Sequence, residues 1–437
     1  IALNERFPGD TGKIEYMAVI RPFRAIRPTP DKAEKVAALP YDVVNSREAA
    51  EIAKDNPYSF LHVDKAEIDM PDGTDIYSPE VYAKAKENLY KMIDTGVFIQ
   101  ELAEGVFVRE EAPRYFLYEL TMDGRSQTGL VACASIDEYL NGTIKKHELT
   151  REDKEQDRIR HVDICDANTG PIFLAYRTVD EISSAVESVK EKTPVYDFTA
   201  DDGIGHRAWV IDDENMINRL VELFKNVPAL YIADGHHRNA SAAKVGLKRR
   251  AENPGYTGEE EFNYYLSVIF PSDELKILDY NRVVRDLNGM SGDELLNKLS
   301  EKFTVRETEG RAKPEKACNF GMYMDGKWYM LTAKDEIRSD DAVRGLDVSI
   351  LQDNVLIPIL GIGDIRTDKR IDFVGGIRGL GELEKRVDSG EMKLAFAMYP
   401  TSIEQLMKIA DENKIMPPKS TWFEPKLRSG LFIHSLK

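Results

Sequence analysis

The chain has 437 residues, and 59 Lys and Arg set against 76 Asp and Glu leave a formal charge of −17, with 42% hydrophobic and 31% charged residues. These are the proportions of a globular protein of two or three domains, each able to bury a core without covalent staples. The negative excess repels a phosphate backbone, and no basic tract exceeds Lys248-Arg249-Arg250, so generic nucleic-acid binding is disfavoured.

Cys133, Cys165 and Cys318 are odd in number and form no CxxC pair, which argues against a disulfide framework or a structural zinc site and for a reducing cytosol. The longest apolar run, from Val355 to Gly363, is about half a membrane span and contains Pro358. With no basic-then-apolar segment at its start, the chain is expected to be cytoplasmic, without a membrane partner.

In chain order, strands and helices alternate. Residues 13–20 read as a strand, and 31–39 and 46–55 as short capped helices. A long amphipathic helix runs from a Ser78 cap through Pro79 to Thr95 and ends at Gly96. Strand-like runs at 115–121 and 128–136 flank Asp123-Gly124, a hairpin signal. Strands at 172–179, 209–211 and 229–233 alternate with helices at 180–192 and 215–226, and a further strand is expected at 263–270. A helix at 292–303, a second hairpin through Asp325-Gly326 and a helix at 402–413 precede a Pro-rich tail. The expected class is α+β, mixed sheets with packed helices. The Pro- and Gly-containing stretch 251–261 suggests a boundary between a part at 1–253 and a C-terminal α+β part at 254–437.

Five of the seven histidines, His147, His161, His206, His236 and His237, fall within 91 residues. The densest piece is a short apolar strand from Leu230, an Asp234-Gly235 break, and a helix opening with His236-His237-Arg238. A helix N-terminus offers unpaired N–H groups and partial positive charge, Gly235 lets the backbone approach a ligand, and Arg238 can hold a phosphate through two parallel hydrogen bonds. The plain structural alternative makes Asp234 a cap, one histidine a core residue and Arg238 half of a salt bridge. Consecutive helical residues diverge by about 100°, so His236 and His237 are not expected to face one ligand alike. A second constellation, Lys145 to His161, offers Glu148, Lys154, Asp157, Arg158 and His161 as base, phosphate clamp and metal ligand; its alternative is a solvated charged helix. Arg151 stands where a zincin motif beginning at His147-Glu148 needs its second histidine. Gly9-Asp10-Thr11-Gly12-Lys13 is too short for a P-loop, and Gly361-Ile362-Gly363 lacks the third glycine of a dinucleotide fingerprint. In the tail, Met416-Pro417-Pro418-Lys419-Ser420-Thr421 is a stiffened loop suited to presenting Lys419 to a ligand, or to strapping Trp422 and Phe423 onto the body.

Arg21-Pro22-Phe23-Arg24-Ala25, Pro40-Tyr41-Asp42-Val43-Val44, Ala233-Asp234-Gly235-His236-His237-Arg238 and the tail loop resemble the signatures of domain-of-unknown-function family 1015, and the likeness spans nearly the whole chain. The Asp-Gly-His-His-Arg run is similar to the motif of free serine kinases of the ParB and sulfiredoxin superfamily. That resemblance implies a ParB/sulfiredoxin-like core and nucleotide-dependent phosphorylation of free L-serine. Sulfiredoxin chemistry needs a cysteine where His236 stands, and Asn281 occupies a position where relatives are expected to carry histidine.

The resulting expectation is phosphoryl transfer to a small hydroxyl-bearing metabolite. Glu148, Asp234 and His237 are the catalytic candidates, with Asp42 an unranked alternative to Glu148 and Asp234 as the carboxylate near the acceptor hydroxyl; Gly235, His236, Arg238, Lys154, Arg158 and Lys419 would bind the nucleotide; Asp234 and Asp157 would hold the metal. The cofactors would be ATP or ADP with Mg²⁺, because such transfer depends on positioning and charge neutralisation. The alternatives are a nucleotide- or phosphate-binding sensor without catalysis, and metal-dependent hydrolysis by the histidine cluster with Zn²⁺ or Mn²⁺. The composite site requires the 147–161 segment and the 234–238 turn to line one pocket.

Overall fold

Two Asp-Gly turns set the hairpins from which the sheets are built. Asp123 and Gly124 both take left-handed backbone, at φ 52° and 76°, so that Met122 lies opposite Arg125 in the pairing of Tyr115–Met122 with Arg125–Ser135. Asp325 and Gly326, at φ 49° and 77°, turn Asn319–Met324 back onto Lys327–Ala333. Positive φ at both central positions matches the twist of the flanking strands. The computed structural model describes residues 17–99 and 112–437. The strand expected at 13–20 begins outside them; within them, pairing starts at Ile20 against Ala134.

The larger sheet has nine strands. Its path runs Ile144–Lys145, Leu230–Asp234, Ile172–Tyr176, Tyr264–Pro271, Arg125–Ser135, Tyr115–Met122, Gly205–Ile211 and Tyr196–Thr199, with Ile20–Arg21 added on Arg125–Ser135. Its pairings are mixed, parallel between Leu230–Asp234 and Ile144–Lys145 and antiparallel between Leu230–Asp234 and Ile172–Tyr176. Both faces are buried: Phe116, Val131, Leu266 and Ala233 belong to one core, and Leu117, Leu130, Tyr265 and Ile232 to another. This explains runs that are apolar throughout instead of alternating. The second sheet has six strands in the order Phe303–Thr308, Lys327–Ala333, Asn319–Met324, Leu394–Ala397, Tyr280–Val284 and Ile371–Gly375. The fold is α+β with mixed sheets and packed helices.

The division expected at residues 253 and 254 does not coincide with the sheets. Tyr264–Pro271 lies beyond it yet is an interior strand of the nine-stranded sheet, parallel to Ile172–Tyr176 and antiparallel to Arg125–Ser135. A segment buried on both faces cannot begin a separate layer, so the second sheet starts only at Tyr280. The chain end also returns, Ile433–Ser435 pairing between Ala25–Ile26 and Ala167–Asn168. The helix expected at 31–39 shrinks to Ala33–Val36 because Ala38 is drawn into a bridge with Ser429. Others form close to their expected bounds, as at Pro79–Asp94, Gly292–Lys302 and Ile403–Asp411, the last two with full capping boxes. Among the described residues no helix is long and apolar enough to cross a membrane.

The helix His236–Glu252 owes its seat to small residues, with Ala240, Ser241, Ala242, Ala243 and Gly246 all buried. A Cβ on Gly246 would stand 2.6 Å from both the Phe262 carbonyl oxygen and Ile136 Cδ1. Gly246→Ala should therefore destabilise the protein by roughly 1–3 kcal/mol in urea unfolding, against the gain of up to about 1 kcal/mol expected from helix propensity alone. A more stable variant would show that the helix seat can relax.

Candidate functional site

A parallel register assembles the site. Leu230 pairs with Ile144 and Tyr231 with Lys145, so both strands run toward the same edge of the sheet and release His147-Glu148 beside Ala233-Asp234. Clefts beyond the carboxyl ends of strands are where open sheets bind ligands. Asp411 ties the pair from below, accepting from Lys145 Nζ at 2.7 Å, Tyr231 Oη at 2.8 Å and Arg177 at 2.7 Å.

Gly235 precedes the helix His236–Glu252 with φ 91°, and no side chain caps the first turn, which contains no acidic residue. The N–H groups there are left available to an anion. Asp234 accepts from the Gly235 N–H at 2.8 Å and from Lys426 Nζ at 2.8 Å. Burial alone would raise the Asp234 carboxyl, yet Lys426 and Arg238 hold it well below the usual carboxylate range. Arg238 lies against Gly235, its Nε 3.3 Å from where a Cβ would stand. It donates from Nη1 to the Pro171 carbonyl at 2.8 Å, while its Nε is buried without a partner.

The segment after Ile144–Lys145 forms the facing wall. Glu148, Asp234, Gly235, His236, His237, Arg238, Lys419 and Lys426 line one chamber of about 220 Å³. Glu148 and His237 also border an adjoining chamber of about 1040 Å³, with Tyr41, Lys154, Asp157, Arg158 and Lys419. The 147–161 segment and the 234–238 turn thus share a cleft. They are locked together where the helix Glu152–Cys165 packs on His236–Glu252: Ser241 Oγ donates to the Glu155 carbonyl at 3.0 Å, and Lys244 pairs with Glu155. His237 Nε2 accepts from the Arg151 N–H at 3.0 Å, and burial lowers the pKa of this imidazole. Glu148 has its pKa raised, chiefly by burial and further by Asp234, with Lys419 acting against both.

Lys419 comes from the tail. Met416 N donates to the His147 carbonyl at 2.8 Å, and the fully buried Arg282 donates to the Lys419 carbonyl at 2.9 Å. Lys419 itself adopts φ 61°, a left-handed backbone uncommon for a residue with a Cβ. Although burial works against its charge, Tyr280, Glu148 and Asp42 raise its pKa, so it stays a cation in the cleft.

Several expected roles change. Asp157 and Asp234 do not fit a shared Mg²⁺: they border different chambers and are already paired, Asp157 with Tyr82 Oη at 2.8 Å and Arg158 at 2.9 Å, Asp234 with Lys426. Arg158 is buried in the wall with its guanidinium 4.0 Å from the centroid of the Tyr41 ring, and Lys154 Nζ reaches Tyr77 Oη at 3.1 Å. Arg238 cannot offer a phosphate the full fork expected of it, because Nη1 is held by Pro171. Among the described residues, the group of metal-ligating type that converges is His147, Glu148 and His236. Lys426, the partner of Asp234, escaped the sequence reading because nothing local distinguishes it from other tail lysines.

This sheet edge sets an uncapped strand-to-helix turn opposite a carboxylate in an α+β fold. The chain belongs to the family described as "Protein of unknown function (DUF1015)", whose model matches residues 20–349. No curated protein sequence matches it. Among solved structures it is similar to a free serine kinase in complex with AMP, at 16% identity over 69% of this chain and 92% of that one, with a TM-score of 0.34. A conserved hypothetical protein from Pyrococcus furiosus matches at 16% identity, 69% and 94% coverage and a TM-score of 0.35. SbnI with a C-terminal truncation, from Staphylococcus aureus, matches at 9% identity, 68% and 85% coverage and a TM-score of 0.38.

Lys426→Met would leave the Asp234 carboxylate without its cation and should cost about 3 kcal/mol of stability. Adding Asp234→Asn should recover most of that loss in a double-mutant cycle followed by urea unfolding. Additive losses would mean that the two side chains act independently.

Proposed function

We propose that this protein binds the phosphates of a nucleotide, ATP or ADP, at the Asp234–Arg238 turn and transfers a phosphoryl group to a small hydroxyl-bearing metabolite. The observation that carries the reading is the meeting, in one cleft, of an uncapped helix N-terminus and a carboxylate of raised pKa, Glu148, with the cations Lys419, Lys426 and Arg238 around them. It agrees with the activity implied by the Asp-Gly-His-His-Arg resemblance.

Each residue then has a task. The N–H groups of the first turn and the free Nε of Arg238 take phosphate oxygens, and Lys419 neutralises charge between the phosphate and Glu148. Asp234 cannot act as the base, because Lys426 and the Gly235 N–H stabilise its ionised form. Glu148 is the group suited to accept the acceptor's hydroxyl proton: it borders both chambers and has no hydrogen-bonded cation, and a raised pKa improves a carboxylate base at neutral pH. His237, held by Arg151 and kept neutral by burial at pH 7, orients the start of the 150s helix instead of carrying a proton. Mg²⁺ would bring counter-charge on the nucleotide itself, since Asp157 and Asp234, the carboxylates expected to hold it, are already paired with Arg158 and Lys426.

Titration calorimetry with ADP should show Arg238→Ala binding weaker by about 1.5–3 kcal/mol, with Arg238→Lys only partly restoring affinity. Incubation with ATP or ADP, Mg²⁺ and a panel of hydroxyl-bearing metabolites, L-serine among them, should yield a phosphorylated product. Glu148→Gln should lower that rate by about 10²–10⁴-fold while nucleotide affinity is kept. Binding without any product would replace the kinase by a nucleotide sensor, and unchanged affinity in Arg238→Ala would remove the anion site.

A further inference from the structure

Behind the phosphate cradle, two imidazoles are buried without the partners that buried polar groups normally have. His147 is 2% exposed and His236 6% exposed. Both ring nitrogens of His147 and Nε2 of His236 are inaccessible and lack a partner in full hydrogen-bond geometry, the Ile232 backbone being the one polar group that acts on the His147 ring at short range. The rings meet edge to face with centroids 4.5 Å apart, and His236 Nδ1 lies 3.8 Å from Glu148 Oε2. One ligand atom from each of His147, Glu148 and His236 lies within 4.8 Å of the other two.

We propose that His147, Glu148 and His236 form a binding site for a divalent transition-metal ion of the Zn²⁺, Co²⁺ or Mn²⁺ type. Two neutral imidazoles and one carboxylate are the ligand set of open three-ligand metal sites, whereas Mg²⁺ selects oxygen ligands. Drawing these atoms onto an ion at about 2.0–2.2 Å takes side-chain movements of less than about 1 Å from the observed spacing. The fold places the set deliberately on rigid backbone: His147 and Glu148 leave the parallel strand together, His236 opens a helix on the neighbouring strand, and the Met416 N–H fixes the His147 carbonyl. His147 closes the back while Glu148 and His236 border the smaller chamber, so the open coordination positions face the phosphate cradle. A bound dication would lower the basicity of Glu148, so the base role given to it above belongs to the metal-free protein; the binding of the ion does not rest on that reading.

The test uses the whole chain, stripped with chelator and confirmed as folded by circular dichroism, then titrated with Co²⁺ and Zn²⁺. One equivalent should bind, Co²⁺ should develop visible d–d absorption, and Zn²⁺ should displace it. Glu148→Gln, whose side chain is half-exposed and whose fold should survive, should weaken binding by about tenfold or more, since even residues supporting a ligand are worth that much. His236→Asn should do the same. Absence of stoichiometric binding to the folded protein, or binding that neither substitution changes, would overturn the proposal. ADP calorimetry on the metal-free protein separates the two readings: nucleotide binding without metal binding sinks the metal site alone, and metal binding without nucleotide binding sinks the phosphoryl-transfer reading alone.

Discussion

The parallel pairing of Ile144–Lys145 with Leu230–Asp234 is the contact on which the site depends. It is only a two-residue register, Leu230 on Ile144 and Tyr231 on Lys145, yet it decides that two loops 86 positions apart in sequence leave the sheet side by side. A slip by one residue would reverse which side chains face the core and which face the cleft. The structure guards against that slip from both directions. Asp411 grips both strands through Lys145 and Tyr231, and alternate residues Leu230 and Ile232 against Tyr231 and Ala233 are committed to opposite cores.

Charge is distributed in the cleft by the same geometry. Asp234 is paired with Lys426 and the Gly235 N–H, so its charge is already compensated beside the uncapped turn. Glu148, across from it, lacks such a pair and is pushed toward the protonated form by burial. Glu148 and Asp234 line one chamber, and they differ in readiness to bind a proton because their partners differ. The lysines come from the tail, whose return across the first layer, ending in Ile433–Ser435, makes the C-terminal region part of the site.

Local chemistry was readable wherever it was locally determined. The Asp-Gly turns, the helices at Gly292–Lys302 and Ile403–Asp411 and the strand-to-helix break at Asp234-Gly235 depend on local signals, and the structure forms them close to where the sequence places them. The helix at Ala33–Val36 fell short, and the larger sheet continues past residue 253, for a common reason. In both places a distant strand or bridge claimed backbone groups that local propensity had assigned elsewhere.

The sequence by itself determined the α+β class, the strand-to-helix turn at Asp234–Arg238 and the candidacy of Glu148 and Lys419, because each follows from residue types and short spacings. Only the tertiary structure decided which charges remain available. Asp157 is taken by Tyr82 and Arg158, Asp234 by Lys426, and one nitrogen of Arg238 by Pro171, while His147 and His236 are brought together with nitrogens unpartnered. Hydrogen bonds and ion pairs are short-ranged, so whether a polar side chain is free depends largely on neighbours the fold brings from far along the chain, 67 residues for Arg238 and Pro171 and 192 for Asp234 and Lys426. No pattern along the chain encodes that separation.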